Sequence, residues 1–190
     1  RLGVTRVRLT GGEPLLRSDL DQLVGRLRQI PNIREITLTT NGTQLARWAD
    51  RLRAAGLDRI TVSLDSLRPE RFAELTRRDD LPKVLEGIER AVAVGFSGLK
   101  INVVVMRGFN DDELVDLVEF GERVGAEIRF IEYMDVGGAT RWSLDQVVSS
   151  AEIVEHIEKR CGPLRAQGSQ GHAPARRFEL PSGQRIGVIA

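Results

Sequence analysis

Cysteine occurs once in the 190 residues, at Cys161. A single thiol cannot close a disulfide within the chain, and alone it cannot assemble a cysteine-ligated zinc or iron–sulfur site. An excess of charge of one sign is missing too: 28 basic against 27 acidic side chains leave a formal charge of +1. With no global field to steer the protein onto nucleic acid or an anionic membrane, any anion must be bound by a local cluster. No window reaches the ~18 apolar residues that a membrane span needs, and no apolar h-region follows a basic start. Neither a nucleic-acid motif nor a low-complexity repeat is present. We therefore expect a cytoplasmic protein without nucleic-acid or membrane partners. An initiator methionine is also lacking. The text opens at Arg1 and begins and ends on strand-like apolar runs, Val4–Leu9 and Ile186–Ile189, so a fragment is expected.

What is present reads as an ordinary globular chain, 41% hydrophobic and 29% charged. Short β-branched runs alternate with amphipathic stretches. Strands are predicted at Val4–Thr10, Glu35–Thr40, Arg59–Leu64, Leu99–Val105 and Glu127–Tyr133. Between them, Leu20, Leu23, Val24, Leu27 and Ile30 recur at helical spacing behind a predicted Ser18 cap. Leu45, Trp48, Ala49 and Leu52 do so behind Thr43, with Gly56 as a left-handed stop. Pro69 and Pro82 each suit a helix start, Val84, Leu85, Ile88, Ala91 and Val92 form a further stripe, and Asn110 is read as a cap. Strands starting roughly every 30 residues match the length of a βαβ unit, hence a parallel sheet with right-handed crossovers. Eight units would need ~250 residues. Five repeats point to an α/β fold, a partial (β/α) barrel. After Met134 the rhythm fails: Gly137-Gly138 begins a loop, Ala151–Arg160 reads as a helix, and Gly162–Arg177 has no periodicity. Phe178–Leu180 and Arg185–Ile189 around Pro181-Ser182-Gly183 read as a terminal hairpin. Cys161, His156 and His172 show no chemical context; the first reads as structural, the histidines as surface residues.

Strand parity carries most of the functional information, because side chains alternate faces. Val7 and Leu9 oppose Arg6, Arg8 and Thr10; Ile36 and Leu38 oppose Thr37, Thr39 and Asn41; Ile60, Val62 and Leu64 oppose Thr61, Ser63 and Asp65. Ile101, Val103 and Val105 oppose Lys100 and Asn102, and Ile128 and Phe130 oppose Glu127 and Arg129. If the apolar faces pack under helices, the polar faces line an interior that needs solvent or a ligand. Arg6, Arg8, Lys100 and Arg129 would bring cations to it, and guanidinium forks suit a polyphosphate. An arginine-rich composition also accounts for part of this pattern, since only Lys83, Lys100 and Lys159 of the 28 basic residues are lysines. At the strand ends, where parallel α/β folds bind ligands, Gly11-Gly12-Glu13-Pro14 offers open backbone amides beside a carboxylate, as an amino-acid head group would require. The same tetrad also occurs as a plain turn.

Taken in order, Thr10-Gly11-Gly12-Glu13-Pro14-Leu15-Leu16-Arg17, Thr39-Thr40-Asn41-Gly42, Ser63-Leu64-Asp65-Ser66-Leu67, Lys100-Ile101-Asn102-Val103 and Arg129-Phe130-Ile131-Glu132-Tyr133-Met134 resemble radical S-adenosylmethionine (SAM) enzymes. More narrowly, over roughly residues 1–140, they resemble the GTP 3′,8-cyclase family of molybdenum cofactor biosynthesis. The resemblance implies a partial barrel of the radical SAM type lacking its first strand (1–140), then the start of a molybdenum cofactor synthesis region (141–190). It implies that Gly11, Gly12 and Glu13 hold the methionyl end of SAM, Ser63 its ribose and Met134 its adenine region. Arg8, Thr39 and Lys100 match GTP-binding positions, with Arg6 and Arg129 adding charge around the triphosphate. In the family's reaction a SAM-derived radical takes hydrogen from C3′ of GTP and the C3′ radical closes onto guanine C8, giving 3′,8-cyclo-7,8-dihydro-GTP. Also implied are two [4Fe–4S] clusters, a homodimer as one assembly, and a downstream cyclic pyranopterin monophosphate synthase that receives the product.

Neither of the family's cysteine sets is in this sequence, so truncation at both ends is the expected reason and the piece alone is expected to be inactive. Three other readings stay open: a peptide-modifying radical SAM enzyme, an aldolase-like barrel with Lys100 as Schiff base, and a nucleotide-binding module without chemistry.

Overall fold

The structure, a computed structural model, describes residues 3–134, 143–168 and 175–190. In chain order its elements are β1 (Arg6–Leu9), α1 (Leu20–Arg28), β2 (Glu35–Thr40), α2 (Leu45–Ala54), β3 (Arg59–Ser63), α3 (Pro69–Thr76), α4 (Leu81–Ala93), β4 (Lys100–Val105), α5 (Leu114–Val124), β5 (Glu127–Glu132), α6 (Ser150–Cys161), β6 (Arg165–Gln167), β7 (Arg176–Glu179) and β8 (Arg185–Ile189). They fall into two units, Arg1–Ser63 with Asp80–Lys100, and Leu64–Asp79 with Ile101–Ala190.

In the first unit β1, β2 and β3 run parallel in that order, with Arg8 beside Thr37 and Thr39 beside Thr61. Alternation sets the register: Ile36, Leu38, Ile60 and Val62 are fully buried on one face, whereas Thr37, Thr39 and Thr61 are half-buried on the other. The stripes that define α2 and α4 meet each other. Leu45, Trp48, Ala49 and Leu52 are buried on one helix, and Val84, Ile88 and Ala91 on the other. Each large apolar side chain so buried contributes roughly 1.5–3 kcal/mol of transfer free energy. Gly87 permits the approach, since a Cβ there would lie 2.8 Å from Leu45 Cβ and 2.9 Å from the Gly42 carbonyl oxygen. Ile30 and Val92, placed on the stripes by spacing, are exposed instead. Gly56 takes the left-handed conformation expected of it, φ +94°.

In the second unit the strand order is β4–β5–β8–β7–β6. The hairpin β7–β8 exists, but it is not a terminal appendage. Strand β8 pairs parallel with β5, placing Arg129 beside Gly187, while β7 and β6 continue the sheet antiparallel. The burial of three consecutive residues, Ile186, Gly187 and Val188, explains why alternation did not reveal a sheet-interior strand. Strand β6 lies inside the stretch read as irregular. The Gly137-Gly138 loop, His172 and the boundary at residue 140 lie outside the described residues.

Three expected caps are corrected. Asp19, not Ser18, precedes α1, and its carboxylate pairs with Arg17 rather than with the helix. Gln44, not Thr43, precedes α2: the Thr43 amide and hydroxyl both donate to Asn41 Oδ1, at 3.0 and 2.9 Å, so an Asx turn delays the helix by one residue. Asn110 precedes a 3₁₀ turn, Asp111–Glu113, and its side chain serves strand ends instead, donating to the Asp65 and Val104 carbonyls and accepting from Met106 N–H. The helix read at Ala151–Arg160 is α6, which opens on a Ser149/Glu152 capping box. Among the described residues no helix is long and apolar enough to cross a membrane.

Candidate functional site

The Gly11-Gly12-Glu13 turn follows β1 directly. Gly11 has φ +144°, a conformation L side chains rarely adopt, and a Cβ at Gly11 or Gly12 would meet no atom within 4 Å. The backbone here therefore faces open space. Glu13 is held from three sides: its Oε1 accepts from Leu15 N–H (3.0 Å) and the Thr40 hydroxyl (2.6 Å), and its Oε2 from Asn41 N–H (2.8 Å). A carboxylate has about four acceptor sites. Most of Glu13's capacity thus fixes the turn to the end of β2, and the remainder is available to an ammonium group.

On the half-exposed face of the first unit, Arg8, Thr37, Thr39 and Thr61 are neighbours through strand register, and Ser63 ends the row on β3, exposed. The cations expected there differ in setting. Arg6, 82% exposed at its side chain, lies 3.6 Å from Glu35, which also pairs with Arg59. Arg8 is exposed as well; among the described residues β1 pairs with β2 alone. Lys100 is buried, at 9% exposure, and opens β4. Glu35 was not singled out by sequence, although its parity with Thr37 was an available signal; its register beside Arg6 is seen only in the structure.

In the second unit Arg129 donates to Glu127 Oε1 at 2.8 Å, both side chains being nearly buried. Arg177, on β7, lies 3.8 Å from the same oxygen. Met134 follows β5 and is 46% exposed. Asp65 accepts from Val104 N–H at 2.7 Å, and burial raises its pKa above the ordinary carboxylate value against that hydrogen bond. The Asn102 side-chain oxygen is buried with no hydrogen-bond partner among the described residues. The loop after Asp65 is anchored by Glu113, a fully buried carboxylate that accepts from Ser66 Oγ (2.8 Å), Leu67 N–H (2.8 Å) and Arg71 Nη1 (2.8 Å). Glu113 was missed because its stretch, behind the cap read at Asn110, reads only as the start of a helix, while its partners Ser66, Leu67 and Arg71 are remote in the chain. A cavity of about 550 Å³ between α6 and β6–β7, lined by Ala151, Val154, Ala166, Ala175 and Phe178 among others, contains none of the expected site residues.

Residues 1–121 match the sequence profile of the Radical SAM superfamily, and residues 126–190 that of Molybdenum Cofactor Synthesis C. The chain belongs to the radical SAM superfamily. The GTP 3′,8-cyclase 3 of Mycobacterium bovis is 49% identical over 193 residues, covering 100% of this chain and 51% of that protein. A GTP 3′,8-cyclase of Xanthomonas axonopodis pv. citri is 52% identical over 160 residues, covering 84% of this chain and 48% of its own. The chain spans about half the length of the relatives it matches. In fold it is similar to the radical SAM enzyme coproporphyrinogen III oxidase from Escherichia coli, with a TM-score of 0.62 at 12% identity over 98% of this chain and 51% of the other. The α/β partial-barrel reading accordingly holds.

The residues present fit one of the superfamily's groups and not the other. SAM fits: an open glycine backbone beside an acceptor carboxylate is the donor and acceptor set of an amino-acid head group. An iron–sulfur cluster does not fit, for Cys161 is alone at the end of α6, half-buried, with its thiol pKa raised by burial and then by Glu119 and Glu122. Among the described residues no three His, Cys, Asp or Glu side chains are grouped to hold a metal ion.

Proposed function

We propose that this chain is part of a GTP 3′,8-cyclase acting in molybdenum cofactor biosynthesis. The supporting observation is the order of two profiles in one chain, radical SAM followed by Molybdenum Cofactor Synthesis C, together with relatives of that name aligned along its whole length. SAM, when bound and reduced by one electron, would supply the radical that removes the C3′ hydrogen of GTP; closure of C3′ onto C8 would then take up one further electron from the reductant and a proton to give 3′,8-cyclo-7,8-dihydro-GTP.

The work left to this chain is binding and orientation. Gly11 and Gly12 present backbone amides to the methionyl end of SAM, and Glu13 takes its ammonium group. Ser63 serves the ribose and Met134 the adenine. Arg8, Thr39 and Lys100 hold GTP, with Arg6 and Arg129 adding charge for the triphosphate; a buried lysine is worth more to an anion than an exposed arginine, because screening by water is weaker. This assigns residues 1–140 to the catalytic core and 141–190 to the start of the C-terminal region. Two [4Fe–4S] clusters complete the enzyme with ligands that are not among these residues. A cytoplasmic setting, a homodimer and delivery of the product to a cyclic pyranopterin monophosphate synthase belong to the same proposal.

The test is anaerobic turnover of the full-length, cluster-loaded protein with SAM, GTP and a reductant. The expected product is 3′,8-cyclo-7,8-dihydro-GTP, formed in step with 5′-deoxyadenosine. Deoxyadenosine formation that is indifferent to GTP but stimulated by a peptide would replace this reading with a peptide-modifying one.

A further inference from the structure

One carboxylate oxygen in the second unit serves two guanidinium groups. Glu127 Oε1 lies 2.8 Å from Arg129 Nε and 3.8 Å from Arg177 Nε. The arrangement follows from register: Arg129 on β5 is beside Gly187 on β8, and Gly187 is beside Arg177 on β7, so both arginines stand on one face with a glycine between them. A Cβ at Gly187 would come within 3.3 Å of Arg129 Cγ and 3.8 Å of Glu127 Oε1. The missing side chain is what lets the Arg129 stem lie in the gap. The cluster is largely out of water, with side-chain exposures of 12% for Arg129, 14% for Glu127 and 30% for Arg177.

The two guanidiniums are not equally satisfied. Arg129 makes a true hydrogen bond, whereas the Arg177 contact is too long for one, and Arg177 Nε is buried with no hydrogen-bond partner among the described residues. A buried donor without an acceptor is costly, and two cations crowding one carboxylate oxygen in a poorly solvated place repel each other. A second anion relieves both. Guanidinium forks favour tetrahedral oxyanions with several acceptor oxygens, and phosphoryl groups are of that kind.

We propose that Arg177 is a further phosphate ligand, forming with Arg129 a two-arginine clamp on a phosphoryl group of the nucleotide. Glu127 is the positioning residue that holds the pair in place. The inference rests on the reading that the substrate is GTP, and it adds a residue from the C-terminal sheet extension to those already named.

The experiment is isothermal titration of the full-length protein with GTP, and with inorganic triphosphate as competitor, for wild type, Arg177→Ala and Arg177→Lys. Loss of one charge-assisted contact should weaken both GTP and triphosphate about tenfold in Arg177→Ala. Arg177→Lys, which keeps the stem and charge and so protects the fold, should weaken both by about threefold, for an ammonium cannot supply the fork. Guanosine affinity should not change. Wild-type GTP affinity retained by both variants overturns the clamp while leaving the GTP reading intact. A wild-type protein that binds neither GTP nor triphosphate overturns both.

Discussion

The Thr40 hydroxyl donates to Glu13 Oε1 at 2.6 Å and accepts from Gly42 N–H at 3.0 Å, linking the glycine turn after β1 to the end of β2. Thr40 is buried, so nothing in solvent replaces these bonds. Thr40→Val keeps the shape and removes both. It should destabilise the protein by about 1–3 kcal/mol in urea denaturation and weaken SAM binding. Thr40→Ser should restore both properties.

Gly12 separates fold from ligand. Its backbone is not in the left-handed region and a Cβ there meets nothing within 4 Å, whereas Gly11 at φ +144° would be strained by any side chain. Gly12→Val should leave the melting temperature unchanged and abolish SAM binding in titration. Lost stability, or unchanged SAM affinity, would show that the open space is not the cofactor's.

Glu113 and Arg71 test the loop that follows β3. The Glu113 carboxylate is fully buried and Arg71, itself paired with Asp112, reaches it at 2.8 Å. Glu113→Ala leaves Ser66 Oγ and Leu67 N–H without this acceptor and Arg71 with Asp112 alone. A loss of about 1–3 kcal/mol is expected from chemical denaturation, from the donors left without this acceptor. Glu113→Gln, which keeps an acceptor oxygen, should cost less.

Two carboxyls give opposite pH signs. Arg107, and then the Ser149 backbone and hydroxyl, lower the Glu152 pKa from 4.5 to about 2. Its folded-state value is depressed, so its stabilisation is present above pH 4.5 and is lost as pH falls toward 2. Asp65 is raised above 3.8 by burial. Its contribution favours folding at low pH and is lost as pH rises through the folded value. In thermal melts, Glu152→Gln should therefore be most damaging above pH 4.5 and converge on wild type in acid. Asp65→Asn should gain on wild type as pH rises. Parallel melting curves at all pH values would contradict both assignments.

Much of this was legible in the sequence, and the rest was not, for definite physical reasons. Strands β2, β3 and β5 carry strict alternation and are found within two residues of their observed ends. The polar parity of Thr39, Ser63, Lys100 and Arg129 was visible for the same cause. Alternation says which face a residue occupies, not how exposed that face is. Arg6 and Arg8 therefore looked equivalent to Lys100, although both are exposed and Lys100 is buried. Local patterns also could not show that Asn110 reaches back to Asp65 and Val104, or that Gly187 makes room for Arg129, because those partners are remote in the chain.

The most direct measurement follows a single hydrogen. GTP deuterated at C3′ is incubated with SAM, reductant and the full-length, cluster-loaded protein, and the 5′-deoxyadenosine is analysed by mass spectrometry. The account requires deuterium in the methyl group of deoxyadenosine, and loss of that transfer in Lys100→Ala at GTP concentrations that saturate wild type. Deoxyadenosine that carries no deuterium would contradict it.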